Sequence, residues 1–249
     1  MESFKSEGNG IPILFISGLF AGDWIWGDAA SYFSKTEYNI IRLREPLSAY
    51  GHKISELREM FIKFLNEFIE YKAIVIGNSL GGLLAMDLAS STPEKVAAIV
   101  VSGAPGMGSA NLGIGPPKIG SEERLKKWFV YLKEKLFVNQ ECITDEQLSR
   151  VAEFFSDKRN FLNMIRLAKE ADRYDARVIL PKIKCPILLL WGDQDNVSPF
   201  ELWKDSITLN SQIQQKVVEN SGHSPMIEKP KAFWESVESF IKSVLAYHM

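Results

Sequence analysis

The sequence predicts a single α/β domain with a mostly parallel central sheet, helices on both faces of the sheet, and a helical segment inserted near the middle of the chain. Two observations predict this fold class. Short runs typical of buried strands alternate with amphipathic helical patterns, as in parallel sheets that are covered on both faces. The alternation stops after Ser102 and resumes only at Cys185, and the residues between them carry three helical patterns.

Six short runs predict the strands of the sheet. Most of them are nearly continuous in apolar residues, which is typical of parallel strands buried on both faces. They cover residues 11–17, 39–43, 73–77, 97–102, 186–191 and 214–219. Amphipathic patterns predict further helices over about residues 55–70, from residue 79 onwards, and over about residues 230–246.

The inserted segment divides the chain into two parts. Residues 103–120 are rich in Gly and Pro and have no periodicity, and helical patterns follow over about residues 121–137, 144–155 and 157–174. We therefore predict a core formed by residues 1–105 and 176–249, and a helical insertion formed by residues 106–175, which we call the cap.

Composition argues against several classes of protein. The chain has 249 residues, of which 46% are hydrophobic, so it can bury one substantial core. Its 29 basic and 31 acidic residues leave a net charge of −2, which gives no electrostatic footprint for nucleic acid. The polar N-terminus does not resemble a signal peptide, and no apolar run approaches the roughly 20 residues of a membrane span. We therefore expect a cytoplasmic protein with no membrane span.

The two cysteines, Cys142 and Cys185, lie far apart in the sequence and have no metal-ligand spacing. We expect both to be reduced structural residues.

The stretch Gly77-Asn78-Ser79-Leu80-Gly81 follows a predicted strand and opens a predicted helix. In that context the G-x-S-x-G pattern predicts a nucleophile elbow, a strained turn that raises the serine hydroxyl above the sheet. Gly77 and Gly81 leave room for such a turn, because a side chain at either position would meet the neighbouring strand or helix. The pattern therefore indicates Ser79 as a candidate nucleophile.

A serine hydroxyl attacks only when a base takes its proton and a third group orients that base. The chain has three histidines, and His223 lies in a turn-rich loop after the last predicted strand. Acidic residues, among them Asp193 and Asp195, directly follow the preceding predicted strand. The chain order is thus Ser, Asp, His.

Four segments together resemble the α/β-hydrolase superfamily, and the resemblance covers nearly the whole chain. The segments are residues 13–19 with Trp26, residues 77–82, Gly192-x-x-Asp195 with Pro199, and residues 221–223. The resemblance implies the α/β-hydrolase fold, in which a helical cap covers the catalytic serine.

The resemblance also implies a role for each site residue. Ser79 is the nucleophile, His223 the general base and then the general acid, and Asp195 the carboxylate that orients the histidine. The oxyanion hole is formed by the backbone N–H groups of Leu19 and Leu80. No cofactor and no metal are implied.

One position departs from the family pattern. Many relatives carry His-Gly before the oxyanion loop, whereas this chain has Ser17-Gly18. Because the oxyanion donors are backbone groups, the change need not abolish activity. We expect it to bear on loop packing and substrate preference.

Several assignments leave alternatives open. Asp193 and Glu201 are rivals of Asp195 for the acid, and His52 is expected to be structural. Trp26 and Trp128 are the candidate substrate-binding residues. Trp24, Phe129 and Tyr131 are further candidates for a pocket lining, although aromatic side chains at helical spacing are more often plain core.

The residues favour a serine hydrolase that cleaves a small-to-medium hydrophobic carboxylic ester or thioester through an acyl-enzyme. The expected partner is a small-molecule substrate, with a carrier-protein-bound acyl group as a further candidate.

Two other functions remain open at this point. The elbow also resembles that of meta-cleavage-product hydrolases, which split carbon–carbon bonds in vinylogous diketones. That reaction calls for a cation near the substrate carboxylate, for which the sequence offers Arg42, Arg44, Arg166 and Arg173. Other superfamily members act as ligand-binding or biosynthetic accessory proteins with little turnover.

Overall fold

The computed structural model describes residues 3–27, 29–108 and 122–248. Within these ranges seven strands form one sheet in the order β1-β3-β2-β4-β5-β6-β7. The strands are β1 (Phe4–Glu7), β2 (Ile11–Ile16), β3 (Tyr38–Leu43), β4 (Ala73–Asn78), β5 (Val96–Ser102), β6 (Ile187–Gly192) and β7 (Ile213–Val218). β1 pairs antiparallel with β3, and the other described pairings are parallel. The mostly parallel sheet is therefore confirmed.

The six predicted strands lie within one or two residues of β2–β7, but β1 is absent from the prediction. Its sequence, Phe-Lys-Ser-Glu, has no apolar run. The strand forms because it pairs along β3 in the register Phe4↔Leu43 to Glu7↔Ile40. The Phe4 ring also stacks on Phe64 at 3.8 Å between centroids.

The described α-helices are α1 (Ala29–Tyr32), α2 (Ile54–Phe68), α3 (Leu80–Ser91), α4 (Glu122–Leu136), α5 (Asp145–Ser156), α6 (Lys158–Ala171), α7 (Ala176–Ile179), α8 (Pro225–Glu228) and α9 (Pro230–His248). The helices α4, α5 and α6 lie between β5 and β6, as the sequence predicts for the cap. The predicted start of the first cap helix at Ser121, and most of the preceding Gly- and Pro-rich stretch, lie outside the described residues.

The sheet separates two hydrophobic layers, because successive side chains of a strand point to opposite faces. On β2, Leu14 and Ile16 pack in the layer that contains α2, α3 and the cap helices. Ile13 and Phe15 pack in the opposite layer, which contains α9. The cap therefore shares its core with the face of the sheet that carries α3.

Hydrogen bonds fasten the cap to the core at several points. Ala176 N–H donates to the Gly106 carbonyl at 2.9 Å, so the cap leaves and rejoins the core at one place. On α6, the Asn163 side chain donates to Ser48 O at 3.0 Å. The Glu170 carboxylate, also on α6, accepts from Ile54 N–H at the start of α2.

None of the helices in the described ranges is long and apolar enough to cross a membrane.

Candidate active site

Ser79 stands at a strained turn between β4 and α3. Its backbone angles are φ 56° and ψ −123°, a conformation that is costly for a residue with a side chain. Its N–H donates to Ser102 O at 2.8 Å, which holds the turn against β5.

Two glycines make the turn possible. A Cβ atom at Gly77 would lie 2.1 Å from the Gly81 carbonyl oxygen, and one at Gly81 would lie 1.9 Å from the Ile16 carbonyl oxygen. Both contacts are with backbone, which cannot move aside. A side chain at either position would therefore clash with the neighbouring strand or helix, as expected from the sequence.

His223 and Asp195 form a buried pair. The imidazole Nδ1 lies 2.9 Å from Asp195 Oδ2 and 3.0 Å from Oδ1, and both residues are 4% exposed. A carboxylate only accepts hydrogen bonds, so Nδ1 is the donor, and in the neutral imidazole this tautomer leaves a lone pair on Nε2. Asp195 Oδ1 also accepts from the N–H groups of Val197 and Ser198 at 2.9 and 3.0 Å, which fixes the carboxylate.

The other titratable candidates do not contact His223. Asp193 is exposed, and its Oδ1 accepts from Ser221 N–H at 3.1 Å. Glu201 pairs with Lys204 on the surface at 2.7 Å. His52 lies 3.1 Å from Glu56 at the start of α2.

Ser79 and His223 face the same cavity. Gly103, with φ +59°, lets the imidazole approach, because a Cβ atom there would lie 2.9 Å from His223 Cε1. Among the described residues the His223 imidazole makes its hydrogen bonds to Asp195, and none joins it to Ser79 Oγ. Such bonds in unliganded enzymes often tighten only when substrate binds.

Leu19 and Leu80 line this cavity together with Ser79. Leu80 is the first residue of α3, and the first N–H groups of a helix have no partner within the helix. Gly18 brings the loop that carries Leu19 close to the serine, because a Cβ atom there would lie 3.0 Å from Ser79 Cβ. Both predicted oxyanion residues therefore flank Ser79.

Ser17 holds the oxyanion loop from within. Its hydroxyl donates to Gly22 O at 2.8 Å and accepts from Trp26 Nε1 at 3.0 Å, and the residue is buried. The serine that replaces the family's usual histidine thus closes the turn over residues 17–26.

Trp26, a candidate substrate-binding residue from the sequence, lies away from the cavity. Its side chain is fully buried in the layer behind the sheet, with its ring 5.3 Å from Phe15 and 6.2 Å from Trp234 between centroids. It does not belong to the cavity lining. Trp24, two residues earlier in the chain, is half-buried and is the tryptophan of this segment that lines the cavity.

Trp128, the other candidate substrate-binding residue from the sequence, lies one layer behind the cavity wall. Its ring packs edge-on against Phe20 at 5.5 Å and against Phe129 at 5.0 Å. Those two phenylalanines line the cavity, whereas Trp128 does not. Tyr131, on the same helix, is exposed.

The cavity has a volume of about 560 Å³, which falls in the range of small-molecule sites. Its wall is mostly apolar and comes from the oxyanion loop, the elbow and all three cap helices. The apolar residues are Leu19, Phe20, Ala21, Trp24, Ile25, Leu80, Pro105, Phe129, Leu136, Phe137, Ile143, Leu148, Val151, Ala168, Ala171 and Val197.

Four polar side chains of the cap also reach this wall: Lys133, Gln147, Lys169 and Asp172. The Lys133 ammonium donates to Ile143 O at 2.9 Å, and Lys169 and Asp172 are exposed. The four arginines considered from the sequence are not among the described lining residues. Charged residues are common on exposed helix faces, so no sequence signal singles out these lysines.

The chain is similar to several known proteins. The model of the family described as "Alpha/beta hydrolase family" matches residues 13–236. The pimeloyl-[acyl-carrier protein] methyl ester esterase of Aliivibrio fischeri is 24% identical over 254 residues, which cover 96% of this chain and 96% of that protein. The 2-hydroxy-6-oxo-6-phenylhexa-2,4-dienoate hydrolase of Burkholderia cepacia is 26% identical over 186 residues, covering 71% and 62%. A solved bacterial membrane phospholipase A superposes with a TM-score of 0.80 at 23% identity, covering 97% of this chain and 82% of that one.

Proposed function

The chain belongs to the α/β-hydrolase family and is an enzyme of the hydrolase class, and from this premise we propose that it is a serine hydrolase of carboxylic esters or thioesters. One observation carries the proposal. A serine at a strained elbow and the histidine of a buried Asp–His pair face one mostly apolar cavity.

Each group has a role in the proposed reaction. Ser79 Oγ attacks the substrate carbonyl while His223 Nε2 takes its proton. The Leu19 and Leu80 N–H groups stabilise the oxyanion. His223 then protonates the leaving alkoxide or thiolate, and later activates the water that hydrolyses the acyl-enzyme. Asp195 keeps the imidazole in the required tautomer.

The cap supports a hydrophobic substrate of small-to-medium size. We infer that residues 106–175 act as one functional unit that encloses the acyl or alkyl chain, because α4, α5 and α6 all contribute to the cavity wall beside Ser79. Enclosure keeps water away from the site and so strengthens the oxyanion contacts.

A carrier-bound acyl group is a narrower version of this proposal. Its support is the Aliivibrio fischeri relative, which is a pimeloyl-[acyl-carrier protein] methyl ester esterase. Lys169 and Asp172 line the cavity and are exposed, which is consistent with a route to solvent for one end of a long substrate.

Carbon–carbon cleavage is the second candidate function. A carbon leaving group departs as a stabilised carbanion, which needs a cation near the substrate carboxylate. Lys133 and Lys169 place two ammonium groups in the cavity wall, and the Burkholderia cepacia relative is a dienoate hydrolase. We still prefer ester cleavage, because Lys133 already donates to a backbone carbonyl and Lys169 is exposed to water.

The first experiment tests the nucleophile. Ser79→Ala should lower turnover of a p-nitrophenyl ester by about 10⁴-fold or more while the fold persists. A fluorophosphonate probe should label Ser79 in the wild type and leave the variant unlabelled. Labelling at another serine would contradict the assignment.

The second experiment separates the reaction classes. Steady-state rates are measured on p-nitrophenyl esters of increasing chain length, a matched thioester, a carrier-bound acyl methyl ester and a ring-fission diketone. We expect the highest kcat/KM on an ester or thioester. A diketone that exceeds the best ester tenfold in kcat/KM, or ~1.4 kcal/mol, would favour carbon–carbon cleavage instead.

A further inference from the structure

Glu228 lies beside the active site, although the proposed mechanism does not use it. It is the last residue of α8 and follows His223 by five positions. The side chain is buried, and its carboxylate accepts three backbone hydrogen bonds. Oε1 accepts from Gly222 N–H at 2.7 Å, and Oε2 accepts from Val138 and Asn139 N–H at 2.8 and 2.9 Å.

These three donors belong to two distant parts of the chain. Gly222 precedes His223 in the loop after β7, whereas Val138 and Asn139 follow the C-terminal end of α4 in the cap. The three N–H donors hold the carboxylate between these two segments.

The same two segments also meet directly. Leu136 is the last residue of α4, and its carbonyl accepts a hydrogen bond of 2.8 Å from His223 N–H. A Cβ atom at Gly222 would lie 2.7 Å from that carbonyl oxygen. We call these contacts between the end of α4 and the loop of His223, together with the hydrogen bonds to Glu228, the joint. Leu136 and Phe137 line the cavity, so the joint fixes the backbone of His223 to a part of the cavity wall.

We propose that Glu228 is a positioning residue that ties the end of α4 to the histidine loop, so that the cap wall and the His223 imidazole are set in place together. This inference rests on the proposed function. It adds that the cap contributes to turnover even for substrates too small to fill it.

Glu228→Gln is the test variant, because it keeps the size of the side chain and replaces one acceptor oxygen by an amide donor. That donor must face either Gly222 N–H or the two cap N–H groups, so one side of the joint is lost. Asp87→Asn is the matched control. Asp87 is also a buried carboxylate, but it pairs with Arg58 of α2 at 3.3 Å, and neither residue belongs to the described cavity lining.

With p-nitrophenyl acetate, assayed below the melting transition of every variant, Glu228→Gln should lower kcat about 10- to 100-fold, the size expected for a displaced catalytic group. KM should change far less. The proton between His223 Nδ1 and Asp195 gives a downfield NMR resonance, which should shift or broaden. Asp87→Asn should leave both readouts unchanged.

Gly222→Ala opens the same joint without changing any charge. It should reproduce the loss of kcat and the change in the resonance, and the double variant should lose less than the product of the two single losses. This second variant keeps the test available if Glu228→Gln fails to fold.

Two outcomes would overturn the inference. One is a Glu228→Gln variant that melts at a lower temperature but keeps wild-type kcat and the wild-type resonance, since that is the behaviour of a purely structural residue. The other is a double variant, Glu228→Gln with Gly222→Ala, whose loss of kcat equals the product of the two single losses. Failure of the proposed function looks different, because the wild type itself would then hydrolyse no ester and carry no probe at Ser79.

Discussion

At the scale of single residues, two carboxylates that are close in the sequence make different contacts around His223. Asp193 and Asp195 are two residues apart, yet Asp195 contacts the imidazole while Asp193 accepts from Ser221 N–H. Only Asp195 is placed to hold the histidine tautomer.

We therefore expect Asp195→Asn to cost far more turnover than Asp193→Asn, by about 10⁴-fold against less than tenfold. The measurement is kcat on a p-nitrophenyl ester for the two variants side by side. If Asp193→Asn is the more damaging change, the identity of the orienting acid is wrong.

Ser17 affects the site through backbone placement alone. Ser17→Ala removes one hydrogen bond to Gly22 and leaves the buried Trp26 N–H without its partner. We expect a loss of about 1–3 kcal/mol in the free energy of unfolding. We also expect a fall in kcat smaller than the roughly 10²-fold cost of a missing oxyanion donor.

Urea unfolding and ester kinetics check the Ser17 prediction. Ser243→Ala on α9 is the control, because it also removes a serine-to-carbonyl hydrogen bond (Ser243 Oγ to Phe240 O, 2.7 Å). Helix α9 packs on the face of the sheet opposite to the cap and the cavity. An unchanged kcat in Ser17→Ala would mean that the loop holds its shape without this hydroxyl.

At the scale of elements, an ion pair helps to dock β1, the strand that the sequence does not predict. Lys35 Nζ donates to Glu7 at 3.0 Å and Arg42 of β3 pairs with the same carboxylate. The hydrogen bond from Lys35, together with the charge of Arg42, holds the pKa of Glu7 below its ordinary value.

A lowered carboxyl pKa stabilises the fold above the unfolded pKa, about 4.3, and this stabilisation is lost as pH falls through the folded pKa. Glu7→Gln should therefore lose about 1 kcal/mol at pH 7, because the pair is only partly buried. The difference from wild type should vanish in acid. Urea unfolding across pH 3–7 measures it, with the exposed Glu219→Gln as control. A deficit that persists in acid would assign the loss to packing.

At the scale of the whole molecule, the two cysteines report separately on the cap and the core. Cys142 lies in the cap and is half-buried, whereas Cys185 precedes β6 and is buried. Burial raises the pKa of each thiol to about 11, so both stay protonated and unreactive at pH 8.

Alkylation of the native protein at pH 8 should therefore be slow, and Cys142 should react before Cys185. Opening of the cap restores the reactivity of Cys142, while Cys185 needs the core to unfold. Mass spectrometry of single-cysteine variants measures both rates. Equal rates would mean that the cap and the core open as one unit.

The sequence by itself determined what depends on neighbouring residues. The strand runs, the helical faces and the glycines that permit the strained turn at Ser79 are local, because their sterics involve few positions. The order of serine, acid and histidine adds the chemistry. These features suffice for the fold class and for the family.

Only the tertiary structure decided what depends on residues far apart in the chain. Trp26 is an aromatic residue beside the oxyanion loop and so a candidate for the pocket lining, yet it packs behind the sheet. Lys133 and Lys169, which no sequence pattern indicates, reach the cavity wall from the cap. Glu228 receives hydrogen bonds from residues about 90 positions away. Hydrophobic periodicity distinguishes buried from exposed, but it does not say which buried surface faces a cavity and which faces the core.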